Sequence, residues 1–357
     1  MCQNEIDRKF TPKKIQSEKL VDSLVRLEMF KKASRVADCA SVVEYHQYDG
    51  VEKPVLSNVW FCKNRLCPLC SWRRSMKLYG QLSKIMDNLS GNFRFIFVTL
   101  TIKNCKAEDL ASTVKLLNQS FNRLKTYKYM QFVKGFFKAL EITHDNYEYI
   151  SKKMWYGDKK KHIKARGRYY SRLGLKIGDR NPNFDMYHPH LHIIFAVDEE
   201  YFSSPYLTQD RLCQLWQKAL KVDYKPVCDI RTVKPQKDKA GDGIGYKAAV
   251  CEVGKYSVKD TDYLTGSYKQ IDKTVSTLLD ALHHVRLCSF GGVFEDVRKM
   301  LGILEDDPID GDLLHINDDT IREDVSYMII RYKWAVGFYE RTITEHINID
   351  IEVDDDE

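Results

Sequence analysis

The stretch HPHLHIIFAV, residues 188–197, constrains the fold more than any other. Its apolar part, LHIIFAV (191–197), reads as a β-strand. Side chains on a strand alternate between faces, so His190 and His192 point one way and Leu191 the other. Two neutral imidazoles side by side make half of a divalent metal site. The plainer alternative is a pair of histidines that pack or hydrogen-bond at a strand end. His188 has the same parity, but Pro189 is a place where the chain bends.

Further elements fall on either side of this strand. Residues 12–37 have a mixed-charge helical pattern, and residues 38–72 look irregular and hold the clustered cysteines. RRSMKLYGQLSKIMDNL (73–89) places apolar residues at helical spacing, and FRFIFVTLTI (93–102) reads as a strand. Residues 107–125 read as a helix, FVKGFFKALEIT (132–143) as a strand, 206–221 as an amphipathic helix that Thr208 or Asp210 can cap, and CDIRTV (228–233) as a strand. A Lys/Gly/Asp-rich loop at 234–245 precedes helical signals at 246–263 and 270–286. Strands separated by single helices and long inserts predict an α+β chain. The predicted organisation is an N-terminal helical segment (1–37), a cysteine-rich element with a helix (38–90), a central body (91–302) and an acidic linker with a C-terminal segment (303–357). Residues 328–342 are strand-like within that last part.

Of 357 residues, 43% are hydrophobic and 30% charged, a globular composition. No run of about 18 apolar residues occurs, and MCQNEIDRKFTPKK lacks the apolar core of a secretory signal. No membrane association is expected, and the expected location is the cytoplasm. The formal charge of +6 says less than its distribution. Residues 152–180 carry eleven Lys/Arg against two Asp, whereas 305–324 carry nine Asp/Glu against one Arg. The basic insert interleaves Lys159, Lys160, Lys161, Lys164, Arg166 and Arg168 with Trp155, Tyr156, Tyr169 and Tyr170. Cations there suit phosphates and the aromatic faces suit unpaired bases; the alternative is a solvated charge run.

Cys62, Cys67 and Cys70 cluster in CKNRLCPLCSWRR. In a reducing compartment this spacing favours tetrahedral Zn²⁺ over disulfides. Cys39 is the first choice for the fourth ligand and His46 the second; four protein ligands leave no open position, so the role is structural. In AAVCEVGKYSVKDTDY (248–263), Glu252 and Tyr256 are i and i+4 and share a helix face, with Lys255 and Lys259 beside it. Ammonium groups favour a tyrosinate or hold a phosphate. A tyrosine so placed is a candidate nucleophile, and the carboxylate a general base. A salt-bridged surface helix is the alternative.

The order FVTLT (97–101), EIT (141–143), HPHLHIIFAV, EVGKYSVKD resembles the HUH endonuclease superfamily, and within it the single-tyrosine rolling-circle replication initiators of bacterial plasmids. CKNRLCPLCSWRR and YLTQDRLCQLWQKAL…DYKPVCDIR are similar to that branch, so the likeness runs from about residue 38 to 300. It implies a central antiparallel sheet with flanking helices and nicking of origin DNA. It puts the nucleophile on Tyr256, the terminating base on Glu252 and the metal pair on His190 and His192, with Glu141 as third ligand. His188 departs from the pattern and competes with Glu141 for that third position. The implied cofactors are Mg²⁺ or Mn²⁺ at the active site and structural Zn²⁺. The implied partners are double- and single-stranded origin DNA, with host helicase, polymerase and a second copy of the chain as further candidates. The rivals are a relaxase or transposase of the same superfamily, and a non-enzymatic zinc-containing regulator that binds nucleic acid.

Overall fold

The computed structural model describes residues 6–158, 165–203, 206–234, 236–237, 244–246, 249–250, 260–303, 312–314, 316 and 325–348. Its centre is a five-stranded sheet of β3 (Arg94–Thr101), β4 (Val133–Asp145), β5 (Met186–Val197), β6 (Cys228–Thr232) and β9 (Cys288–Gly292), in the order β6-β3-β5-β4-β9. All four pairings are antiparallel, so the chain is α+β. The middle strand, β5, is the one that begins with the histidines. Its run Ile193–Val197 is buried throughout because both faces are covered.

On one face, Val98, Leu191, Ile193 and Phe195 pack under α4 (Leu110–Lys125), α7 (Gln209–Leu220) and α9 (Tyr268–Ala281). Thr208 caps α7 by accepting from the Arg211 amide at 3.2 Å. On the other, Phe95, Phe97, Phe137, Ile194 and Ala196 pack with α3 (Pro68–Leu89), Tyr246, Val250 and Phe294 of α10 (Val293–Met300). The described residues of 234–245 include a short strand pair, β7 (Gln236–Lys237) with β8 (Ile244–Gly245).

The region 38–72 is more regular than its composition suggests. β1 (Val42–Tyr48) and β2 (Val55–Val59) join the C-terminal hairpin of β10 (Tyr327–Ala335) and β11 (Phe338–Ile347) in a four-stranded antiparallel sheet, β11-β10-β1-β2. The pairing partner of VVEYHQY lies almost three hundred residues away, at Val42↔Lys333 through Tyr48↔Tyr327, so no local pattern announces it. The N-terminal helix breaks into α1 (Thr11–Arg26) and α2 (Phe30–Asp38) at Glu28, whose φ is +59°. Within the expected acidic linker, Leu313 is buried, and Arg73 and Lys77 of α3 donate to the carbonyls of Asp312, Leu313 and Leu314 at 2.6–3.0 Å. These residues are held against the body. Among the described residues, no helix is long and apolar enough to cross a membrane.

Candidate functional site

Pairing register brings the central site together. Glu141 on β4 lies opposite His190, and Thr99 on β3 lies opposite His192. His192 Nε2 is 2.9 Å and His190 Nε2 3.5 Å from the same Glu141 oxygen, Oε2. The other ring nitrogens are engaged: His192 Nδ1 lies 3.1 Å from Thr99 Oγ1, and His190 Nδ1 lies 3.0 Å from the His188 carbonyl. A carbonyl only accepts, so His190 carries its proton on Nδ1 and leaves the Nε2 lone pair free. The three side chains are buried, at 7–8% exposure. Two imidazole nitrogens and one carboxylate oxygen within 4.8 Å of one another suit a divalent cation.

His188 lies outside this convergent set. Its ring stacks on that of His190 at 5.1 Å, with planes 27° apart. Burial, then repulsion from any second proton on the adjacent His190 ring and from the Arg166 guanidinium, draws its pKa down to about 4.

The second constellation holds four thiols. Cys39 follows α2, Cys62 lies beyond β2, and Cys67 and Cys70 straddle the start of α3, where Pro68 occupies the first turn. Cys39–Cys70, Cys62–Cys70 and Cys67–Cys39 Sγ separations are each 3.6 Å. Thiolates about 2.3 Å from a tetrahedral Zn²⁺ stand about 3.8 Å apart, so the cage has the right size. Burial opposes charge on Cys67, but hydrogen bonds from the other three thiols outweigh it and hold that thiol well below its usual pKa. His46 is not part of this cage: it stacks on Tyr327 at 4.2 Å and faces Glu44, 3.6 Å away. Strand alternation sends His46 to the side opposite Tyr45, which packs in the core with Cys39.

The cage is wired into its surroundings. Lys14 of α1 is buried and donates to the carbonyls of Ala37 and Cys39. Tyr339 of β11 donates to the Ala40 carbonyl at 2.6 Å. Arg74 braces the loop through the carbonyls of Lys63 and Asn64, and Arg65 reaches those of Leu282 and Val285 beyond α9.

The family model described as "Replication protein" matches residues 53–340. The chain belongs to the replication protein family. "Protein rep" of Lactiplantibacillus plantarum is 33% identical over 319 residues, covering 87% of each chain. "Protein rep" of Lentilactobacillus hilgardii is 30% identical over 340 residues, 94% of each, and "Protein rep" of Streptococcus pneumoniae serotype 2 (strain D39 / NCTC 7466) is 32% identical over 322 residues, 88% of this chain and 85% of the relative. No solved structure matches. The protein is a plasmid replication initiator.

Several expected site residues of this replication protein lie outside the described residues: Glu252, Lys255, Tyr256 and Lys259, and in the basic insert Lys159, Lys160, Lys161 and Lys164. Arg168 is exposed, and Arg166 forms an ion pair with Asp145 at the end of β4. Tyr263, at the end of α8 (Asp260–Tyr263), is buried and donates its hydroxyl to the Leu66 carbonyl, so its oxygen is committed to packing. Sequence reasoning missed Thr99, whose signal was a hydroxyl at an inward position of FVTLT. It also missed the His144–Asp185–Lys273 cluster, in which His144 Nε2 lies 3.1 Å from Asp185 while Lys273 of α9 bonds the other carboxylate oxygen.

Proposed function

We propose that this replication protein starts plasmid replication by nicking one strand of the origin through a tyrosine nucleophile, as the HUH endonucleases it resembles do. The observation that carries this reading is the convergence of His190 and His192 on Glu141 with both Nδ1 atoms already engaged. Glu141, His190 and His192 would hold a Mg²⁺ or Mn²⁺ ion. When bound, the ion supplies Lewis-acid stabilisation of charge on the scissile phosphate.

Tyr256 supplies the nucleophile. Its Oη forms a bond to phosphorus as the bond to the 3′ oxygen breaks; the 5′ side stays on the tyrosine, and the departing oxygen takes up a proton to become a primer hydroxyl. Lys255 and Lys259 favour the tyrosinate. The ester energy is kept in the phosphotyrosine, so the step needs no nucleotide triphosphate. At termination Glu252 takes a proton from a water that attacks the phosphotyrosine, which frees the 5′ phosphate and restores the phenol. Two contacts next to this stretch support the assignment. Tyr246 and Val250 pack on the sheet face that carries the metal ligands, and the Asp262 carbonyl lies 3.3 Å from His144, three residues beyond Glu141 on β4 and on the opposite face, so the ends of the stretch flank this end of the sheet. The Cys39–Cys62–Cys67–Cys70 cage holds a structural zinc. The Lys/Arg side chains of the insert meet DNA phosphates, and host helicase and polymerase work from the freed 3′ end.

The test is incubation with a single-stranded origin oligonucleotide and Mn²⁺ or Mg²⁺. A covalent adduct that survives SDS is expected from the wild type and not from Tyr256→Phe, His190→Ala or His192→Ala, all of which should still bind duplex origin DNA. An undiminished adduct from Tyr256→Phe would move the nucleophile elsewhere. No adduct from the wild type under any metal would leave the binding-only reading.

A further inference from the structure

The described residues of the connection between β4 and β5 have a small core of their own. Ile150, Met154 and Tyr170 are buried together, with Trp155 and Leu175 packed on them. Two short helices carry three of these residues: Met154 and Trp155 lie on α5 (Lys152–Tyr156) and Tyr170 on α6 (Gly167–Arg172). Ser151 caps α5 by accepting from the Met154 amide at 3.3 Å, and the Arg166 amide donates to the Met154 carbonyl at 2.8 Å, tying the helices together.

Between them lies an open pocket of about 740 Å³, lined by Trp155, Tyr156, Gly167, Arg168, Ser171 and Arg172 among others. That volume falls within the usual range for small-ligand sites. One wall is pre-formed. The Trp155 ring lies 6.1 Å from that of the fully buried Tyr170, with planes 19° apart. A Cβ on Gly167 would stand 2.8 Å from the Trp155 carbonyl oxygen and 2.9 Å from its ring nitrogen, so only glycine lets the indole lie this close to the backbone. Tyr156 is 71% exposed, leaving a second aromatic face open to solvent. Among the described residues, no carboxylate lines the pocket.

Aromatic faces beside guanidinium groups recognise a flat heterocycle attached to phosphate. The location narrows the source. The insert leaves β4 at Asp145 and re-enters β5 at Met186, which pair with each other four residues along from the Glu141–His190 pair. At about 3.3 Å per residue that separation is about 13 Å. Arg166, bonded to Asp145, fastens α6 to this end of the sheet.

We infer that this pocket receives one unpaired base of the origin strand close to the nick, stacked on Trp155, with the adjoining phosphates on Arg168 and Arg172. The identity of the strand rests on the nicking reading above. Because a base inside a duplex has both faces covered by its neighbours, the pocket selects an unpaired strand over a duplex.

The experiment measures binding of the full-length, zinc-loaded protein in buffer with no added Mg²⁺ or Mn²⁺ and no chelator, without cleavage, to a single-stranded oligonucleotide spanning the mapped nick and to the same sequence as duplex. An abasic nucleotide is then walked through the single strand. At one position its loss should weaken wild-type binding by roughly 5- to 150-fold, the range for one stacked base. Trp155→Ala and Gly167→Ala should show the same weakening with the intact oligonucleotide, no further loss with that abasic one, and unchanged duplex affinity. The abasic walk uses wild-type protein, so it stands even if a variant folds poorly. The inference is overturned if no abasic position matters, if the penalty persists in full in Trp155→Ala, or if duplex and single strand weaken equally. A wild type that binds but forms no adduct with Mn²⁺ refutes the nicking reading, while the abasic walk still decides the pocket.

Discussion

Replacing Thr99 by valine tests the central site without touching a proposed ligand. Thr99 Oγ1 is 3.1 Å from His192 Nδ1, and Glu141 Oε2 is 2.9 Å from His192 Nε2. When a cation takes the Nε2 lone pair, the imidazole proton sits on Nδ1 and the hydroxyl accepts it. Valine keeps the shape of the side chain but cannot accept. His192 then lowers its energy by moving the proton to Nε2, where the Glu141 carboxylate accepts it, and that tautomer has no lone pair to offer a metal. Loss of such an orienting partner usually costs about 10- to 100-fold in metal affinity, or about 1.4–2.7 kcal/mol. The fold should lose less, about 0.5–1.5 kcal/mol for one hydrogen bond. Mn²⁺ titration by calorimetry measures the affinity, and adduct formation against Mn²⁺ concentration measures the consequence. Thr99→Val should need more metal yet approach wild-type adduct yield at saturation, and Thr99→Ser should behave as wild type. Wild-type Mn²⁺ affinity in Thr99→Val, or a loss of activity that excess metal does not restore, would refute the argument.

Cys70→Ser should bind less than one zinc per chain and become poorly soluble, because losing a structural ligand removes folding free energy; a well-folded, zinc-free wild type by metal analysis would contradict this. Glu252→Gln should form adduct at a near-normal rate but release it slowly on substrates carrying two origin copies, and equal loss in both steps would reduce Glu252 to a helix-supporting residue. Lys138 is buried beneath α4, and burial, then the charge of Lys125, lowers its pKa from 10.5 to about 8. The folded state therefore binds fewer protons than the unfolded between about pH 8 and 10.5, so stability rises with pH across that window, and the full penalty, about 3 kcal/mol before its bond to Asn118 offsets part of it, applies below pH 8. Lys138→Met should raise the urea midpoint at pH 7 and flatten that rise, and an unchanged pH profile would show that Lys138 is not its source.

Much of the site was legible because it depends on local periodicity. Alternation along β5 fixes His190 and His192 on one face whatever the strand pairs with. The spacing Cys62-x4-Cys67-x2-Cys70 brings three thiols together through one turn and the start of α3. The long apolar runs of β3, β4 and β5 were equally plain. β1 and β2 were not, because their stability comes from pairing with β10 at the far end of the chain. β9, CSFGG, was missed because its glycines carry no strand signal; Gly291 and Gly292 are there because a Cβ would collide with the Phe136 ring and the Lys134 carbonyl of β4.

The sequence by itself determined which residue types are available for chemistry and which of them share a face. Tertiary structure decided which of them meet. Glu141 was the first choice for the third place beside His190 and His192 with His188 competing for it, and β4–β5 register sets Glu141 opposite His190 while His188 stacks outside the cluster. Cys39 and His46 were both available to close the thiol cage, and the direction in which β1 leaves α2 puts Cys39 in it and turns His46 toward Tyr327. The physical reason is the same in both cases. Facing along a strand is set by backbone geometry within a few residues, whereas register is set by the sum of contacts across the sheet, and a slip of one residue would exchange every inward side chain for an outward one.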